Sequence, residues 1–123
     1  MKVLVLGGAG DIGSAIAEIL CSLNVDEVIL GDVYQAKAEE ISKTLRSKGY
    51  EVYVSKADAL KVDSLREASK GIDVAVNAIG PFYKYGFNIT KNLIDADINL
   101  VDVCDDYDAA GKILSLNELA AWK

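Results

Sequence analysis

The segment Gly8-Ala9-Gly10-Asp11-Ile12-Gly13 has the spacing GxGxxG and follows directly on an apolar run, Val3 to Leu6. Each glycine has a task in that setting. Gly8 permits a tight turn, Gly10 lets backbone approach a pyrophosphate with no Cβ in the way, and Gly13 lets helix and strand pack closely. A helix opening at Asp11 and Ile12 offers unpaired N–H groups and the positive end of its dipole to an anion. The spacing alone describes any glycine-rich turn. The apolar run before it and the helical pattern after it are what anion binding requires.

Further candidates fall at the ends of apolar runs. Asp32 closes the second run, about 20 residues past the glycine turn, where an acid hydrogen-bonds a ribose. It also stands where it can cap a helix opening near Tyr34. The next residue, Val33, is apolar, and the nearest cation in sequence, Lys37, lies one helical turn along. A 2′-phosphate beside Asp32 brings like charges together, so the expected preference is NAD over NADP. Asp58 and Ala59 follow the third run, as an adenine slot or as an ordinary turn. Ala78, Ile79 and Gly80 follow the fourth, where small residues let a cofactor lie against a strand end; Gly80-Pro81 also makes a turn on any account. Asp102, Asp105 and Asp106 crowd the fifth, either for acid–base work or as caps of the next helix. Cys104 reads as a small buried residue, since the chain has no histidine to activate it. No catalytic residue and no metal ligand set is assigned.

These residues need a scaffold that brings run ends together. The runs Val3 to Leu6, Glu27 to Leu30, Tyr50 to Ser55, Asp73 to Ala78 and Asn99 to Val103 are rich in Val, Ile, Leu and Tyr. Several are continuous rather than alternating, as in strands buried on both faces of a parallel sheet. Between them lie helical stripes: Ile12, Ala15, Ile16, Ile19, Leu20 and Leu23; then Ala38, Ile41 and Leu45, stopped by Gly49; then a short helix opened by the capping-box spacing Ser64 to Glu67 and ended at Gly71; then Ile89, Leu93, Ile94 and Ala96. Alternating elements of these lengths predict an α/β fold of the Rossmann type. That is a doubly wound parallel sheet, strand order 3-2-1-4-5, with helices on both faces and a crevice between strands one and four.

The chain of 123 residues is one domain's worth, and 51% of it is apolar. A formal charge of −6, with no basic run, argues against nucleic acid or a membrane surface as a partner. Two distant cysteines read as reduced thiols rather than a disulfide framework. The first apolar run is broken by glycines before it reaches the length of a signal sequence, and a cytoplasmic location is expected. A second capping-box spacing, Ser115 to Glu118, precedes Trp122 close to the end of the chain. It reads either as a short docked helix or as the sign of an amino-terminal piece of a longer protein, and the latter is favoured.

Gly7 to Gly13, Asp32, Asn77-Ala-Ile-Gly-Pro-Phe-Tyr83 and Val101-Asp-Val-Cys-Asp-Asp106 together resemble the saccharopine dehydrogenase family, in its amino-terminal NAD(P)-binding domain. The resemblance covers essentially residues 1–123. It implies that Gly8, Gly10 and Gly13 bind the pyrophosphate and Asp32 the ribose. Ala78 to Gly80 would lie beside the nicotinamide half, with Phe82, Tyr83 and Tyr85 on the substrate side. It implies an oxidoreductase acting on a secondary amine of an amino acid. The family uses both NAD and NADP, so resemblance does not decide the cofactor. The family's substrate and dimerisation domain has no counterpart here. Activity of this chain alone is therefore not expected, an amino-acid substrate enters only with that domain, and an oligomer stays open. The alternative is a non-catalytic NAD(H)-sensing regulatory domain, against which Gly80 to Tyr83 tells; a redox sensor without turnover stays open. A short-chain dehydrogenase needs Tyr-xxx-Lys, and none of the six tyrosines has lysine at the fourth position.

Overall fold

A computed structural model describes residues 1–58, 61–79, 91 and 99–102. Strands β1 (Lys2–Leu6), β2 (Glu27–Asp32), β3 (Val52–Lys56), β4 (Val74–Asn77) and β5 (Asn99–Asp102) form one sheet in the order β3-β2-β1-β4-β5. All four pairings are parallel. The helices are α1 (Asp11–Ser22), α2 (Gln35–Ser47) and α3 (Val62–Ser69). The Rossmann-type order expected from the sequence is the one observed.

The central strand explains why the runs are continuous. Val3 and Val5 pack into one cluster with Ala17 and Cys21 of α1 and Ala38 and Leu45 of α2. Leu4 and Leu6 pack into another with Leu65 and Ala68 of α3. A strand covered on both faces has no position for a polar side chain, so Val3 to Leu6 are all buried. Each such side chain contributes about 1.5–3 kcal/mol of burial free energy. The chain leaves β1 for β2 and β3 on one side, then returns to β4 on the other. The direction of winding reverses at the carboxyl ends of β1 and β4, where doubly wound sheets hold their ligands.

Three details differ from the sequence pattern. The face that α1 turns to the sheet is not its large aliphatic stripe. The buried residues are Gly13, Ala17 and Cys21, spaced four apart, while Ile16 and Leu20 flank the core and Ile12, Ile19 and Leu23 are exposed. Small residues win because the helix lies too close to the glycine turn for large ones. A Cβ on Gly13 would sit 2.0 Å from the Gly7 carbonyl oxygen and 2.7 Å from its carbonyl carbon.

Strand β2 runs on to Asp32, two residues beyond its apolar run, because the pairings Gly31 with Ser55 and Asp32 with Lys56 continue regardless of polarity. Finally, the Ser64–Glu67 box does not cap α3, which starts at Val62 after Lys61. Ser64 instead donates its hydroxyl to the Lys56 carbonyl (3.4 Å) and accepts the Asp58 N–H (2.9 Å), tying the helix to the end of β3. The stops at Gly49 and Gly71 have positive φ, 93° and 73°. The stripe from Ile89 to Ala96, Val103, and the segment from Ser115 to Trp122 lie outside the described residues.

No described helix is long and apolar enough to cross a membrane. No group of three or more His, Cys, Asp or Glu among the described residues has metal-binding geometry.

The contact of Gly13 with Gly7 is backbone against backbone, so neither side can yield by a rotamer change. Gly13→Ala is expected to destabilise the fold by about 3 kcal/mol, the upper end of overpacking costs, and to lower the midpoint of thermal unfolding by roughly 10 °C. Thermal denaturation followed by circular dichroism checks this; an unchanged midpoint would show that α1 is not held where described.

Candidate dinucleotide site

The turn between β1 and α1 is fastened from below. The N–H groups of Gly7 and Gly8 both donate to the Gly31 carbonyl of β2, at 2.8 and 3.4 Å, and Gly10 N–H returns to the Gly7 carbonyl at 3.0 Å. The left-handed backbone of the turn falls at Gly7 (φ 80°), one residue before the first glycine of the motif. Gly8 is required by packing instead, since a Cβ there would come within 2.9 Å of Leu30 Cβ.

Gly10 is the exception among these glycines. Its backbone (φ −80°, ψ 170°) is open to any residue, and a Cβ would meet only the Gly7 carbonyl oxygen, at 3.3 Å. Conformation does not call for glycine at this position, and its one contact, though tight against a backbone carbonyl, is looser than those at Gly8 and Gly13. It is the N-cap of α1, and no side chain caps that helix. The first N–H groups of a helix have no partner within it, so Asp11, Ile12 and Gly13 present donors beside a position without a Cβ. That is the arrangement an approaching pyrophosphate needs, and the residues present fit such a group.

Asp32 is buried (7% exposed) at the end of β2. One carboxylate oxygen accepts the Ala9 N–H at 3.0 Å and the other accepts the Tyr34 N–H at 3.0 Å. The side chain thus clamps the glycine turn to the start of α2, a role the sequence offered only in part, as a cap near Tyr34. Across the reversal point, Asn77 is fully buried, and its Oδ1 accepts the Ile79 N–H at 3.1 Å. The Ala78 N–H donates to the Leu6 carbonyl at 2.9 Å. The glycine turn rests on this corner, since a Cβ on Gly7 would be 2.9 Å from the Ala78 carbonyl oxygen.

The structure brings Gly8, Gly10, Asp11, Ile12, Gly13, Asp32 and Ala78 to the carboxyl edge of β1, β2 and β4. Val33 is exposed beyond Asp32. Asp58 stands at the end of β3, its N–H bonded to Ser64. Ile79 is partly buried and packs against the core cluster that includes Leu4 and Leu6. Asp102 pairs in register with Asn77. Ala59, Gly80, Phe82, Tyr83, Tyr85, Cys104, Asp105 and Asp106 lie outside the described residues.

Sequence reasoning passed over Gln35, and read Ser64 only within a capping box and Asn77 only within a motif, whereas all three position this edge. Gln35 donates to the carbonyls of Asp32 and Ser55, binding the ends of β2 and β3. Asn77 and Ser64 do comparable work. Their only signal was a polar residue at the end of an apolar run or just inside a helix.

Asp32→Ala removes the acceptor of two backbone N–H groups, and Ala9 then faces a buried void. A loss of about 1–3 kcal/mol is expected, measured by urea denaturation. Asp32→Asn should recover part of it, since an amide oxygen replaces only one of the two acceptors. Wild-type stability in the alanine variant would show that the clamp does not hold the turn.

The sequence matches the saccharopine dehydrogenase NADP binding domain family over residues 3–122. Among curated relatives, glutamyl-tRNA reductase of Haloquadratum walsbyi is 35% identical over 79 residues, 64% of this chain and 15% of that protein. A UDP-glucose 4-epimerase of Schizosaccharomyces pombe is 27% identical over 120 residues, 92% of this chain and 34% of that protein. Among solved structures, saccharopine dehydrogenase (L-Glu forming) from Saccharomyces cerevisiae superposes with a TM-score of 0.72 at 20% identity, over 94% of this chain and 23% of that one. The chain thus spans well under two thirds of the length of each, and the structural likeness bears on the fold. The family match corrects the expectation of NAD over NADP, because the matched domain is an NADP-binding one. The expectation treated Asp32 as a free acid facing the ribose. Its carboxylate is instead buried and engaged at both oxygens by backbone N–H groups, so its charge is partly met inside the protein. With nearly its whole length matched, the chain belongs to the saccharopine dehydrogenase NADP-binding domain family.

Proposed function

We propose that this chain binds NADP(H) on the glycine turn and serves as the cofactor-binding part of an oxidoreductase acting on a secondary amine that joins two amino acids. The observation that carries the reading is Gly10, a glycine that its backbone conformation does not require, at the uncapped start of α1. Membership of an NADP-binding family supports the choice of dinucleotide. The solved relative named for L-glutamate formation from saccharopine supports the substrate class. When bound, NADP(H) would supply hydride chemistry at the carbon next to the amine nitrogen.

The residues of this chain bind and orient. The N–H groups at Asp11, Ile12 and Gly13 face the pyrophosphate, and Gly10 leaves room for its approach. Asp32, through Ala9, keeps the turn in place. Asn77 fixes the Ala78 corner, which borders the nicotinamide half at the end of β4. Hydride transfer also requires a substrate held against the nicotinamide and shielded from water. We assign that second wall to a part of the polypeptide other than residues 1–123.

Two measurements test this reading. In calorimetric titrations, the chain should bind NADPH more tightly than NADH, and Gly10→Val should abolish binding while circular dichroism shows a retained fold. Unchanged affinity in that variant would remove the glycine turn as the site. In an absorbance assay, residues 1–123 with NADP and saccharopine should show no turnover above background; steady reduction would mean that the second wall is already present.

A further inference from the structure

The segment that follows β2 in sequence, Val33-Tyr34-Gln35, has no cation, so an NADP site here lacks the usual neighbour for a 2′-phosphate. The sheet supplies one from the adjacent strand. Lys56, the last residue of β3, is the register partner of Asp32. Val52 packs into the core cluster that includes α1 and α2, and Val54 packs against it. Side chains alternate along a strand, so Lys56 shares that face of the sheet, the face of the glycine turn and Asp32.

Lys56 is exposed, and none of the ion pairs among the described residues includes it. Its backbone is held firmly. Its carbonyl accepts the Ser64 hydroxyl, the next N–H, of Ala57, donates to the Asp32 carbonyl at 3.3 Å, and Gln35 bridges Asp32 and Ser55 beside it. A long flexible cation on a fixed stem, next to the position that meets the ribose, suits a doubly charged phosphate.

The competing cation is Lys37. It lines the groove between α1 and α2 along with Glu40 and the ion pair of Glu18 with Lys48, a groove between helices rather than the end of a strand.

We propose that Lys56, at the end of β3, is the specificity-determining residue that receives the 2′-phosphate of NADP(H). It supplies from the neighbouring strand the charge that the segment after β2 lacks. This inference rests on the reading of the glycine turn as an NADP site. It explains how an acid at Asp32 and an NADP-binding fold coexist. The acid is tied inward by Ala9 and Tyr34, and the exposed residue paired with it in register is the cation Lys56.

The test is a set of dissociation constants for NADPH and NADH at one low salt concentration, for the wild-type chain, Lys56→Ala, Lys56→Arg and Lys37→Ala. Lys56→Ala should weaken NADPH about tenfold, the loss of one charge-assisted hydrogen bond, and leave NADH unchanged. Lys56→Arg should stay near wild type, and Lys37→Ala should affect both dinucleotides little. The gap between wild type and Lys56→Ala should shrink as salt is raised. Equal weakening of both dinucleotides, or an unchanged NADPH constant in Lys56→Ala, would overturn the assignment while leaving the NADP site standing. If the wild-type chain binds neither dinucleotide, the site itself is refuted and this assignment with it.

Discussion

The close approach of Gly13 to the backbone of Gly7 sets the geometry of everything around it. With no Cβ between them, α1 drops onto the turn that precedes it, and its first N–H groups come level with the carboxyl ends of the strands. A longer separation would carry those donors away from Asp32 and from the Ala78 corner together. The same closeness decides the composition of the helix face below, where Ala17 and Cys21 continue the run of small residues down the sheet. Burial, with Glu18 nearby, pushes the Cys21 thiol up from its ordinary value, in keeping with a packing residue rather than a nucleophile.

At the opposite end of these constraints, the carboxyl edge is held by side chains as well as by backbone hydrogen bonds between strand ends. The parallel pairings stop at Leu6, Asp32, Lys56 and Asn77. Beyond them, backbone groups still need partners. Asp32, Gln35, Ser64 and Asn77 help to meet that need, the first three bonding main chain on a neighbouring segment and Asn77 the turn that follows it. The edge that faces a ligand is therefore stiffened before any ligand arrives, which lowers the ordering cost of binding.

The topology was legible because continuous apolar runs of strand length, separated by helical stripes, admit few arrangements. The glycine turn was legible because its spacing matched the elements on either side. The face of α1 was not, since periodicity weighs Ile12, Ile19 and Leu23 as core, whereas proximity to Gly7 selects Gly13, Ala17 and Cys21. Nor was the state of Asp32. A carboxylate reads the same in sequence whether it points at a ribose or accepts two backbone N–H groups. The partnership of Asp32 with Lys56 was also hidden, because register between strands is a property of the folded sheet. Lys37 looked nearer only along the chain.

The position of β1 also has a consequence for how the chain acquires its shape. It precedes the other described strands in the sequence and lies at the centre of the sheet, flanked by β2 and β4. Its amino end is joined to Asp73, 71 residues later, by the N–H of Lys2. At the pace of translation, roughly 4 to 14 s pass between the two ends of that bond leaving the ribosome. During that interval one edge of a strongly apolar strand has no neighbour, and long-range parallel pairing is slow to form. The most buried strand of the finished protein is thus the one most exposed to wrong partners while the chain is being made.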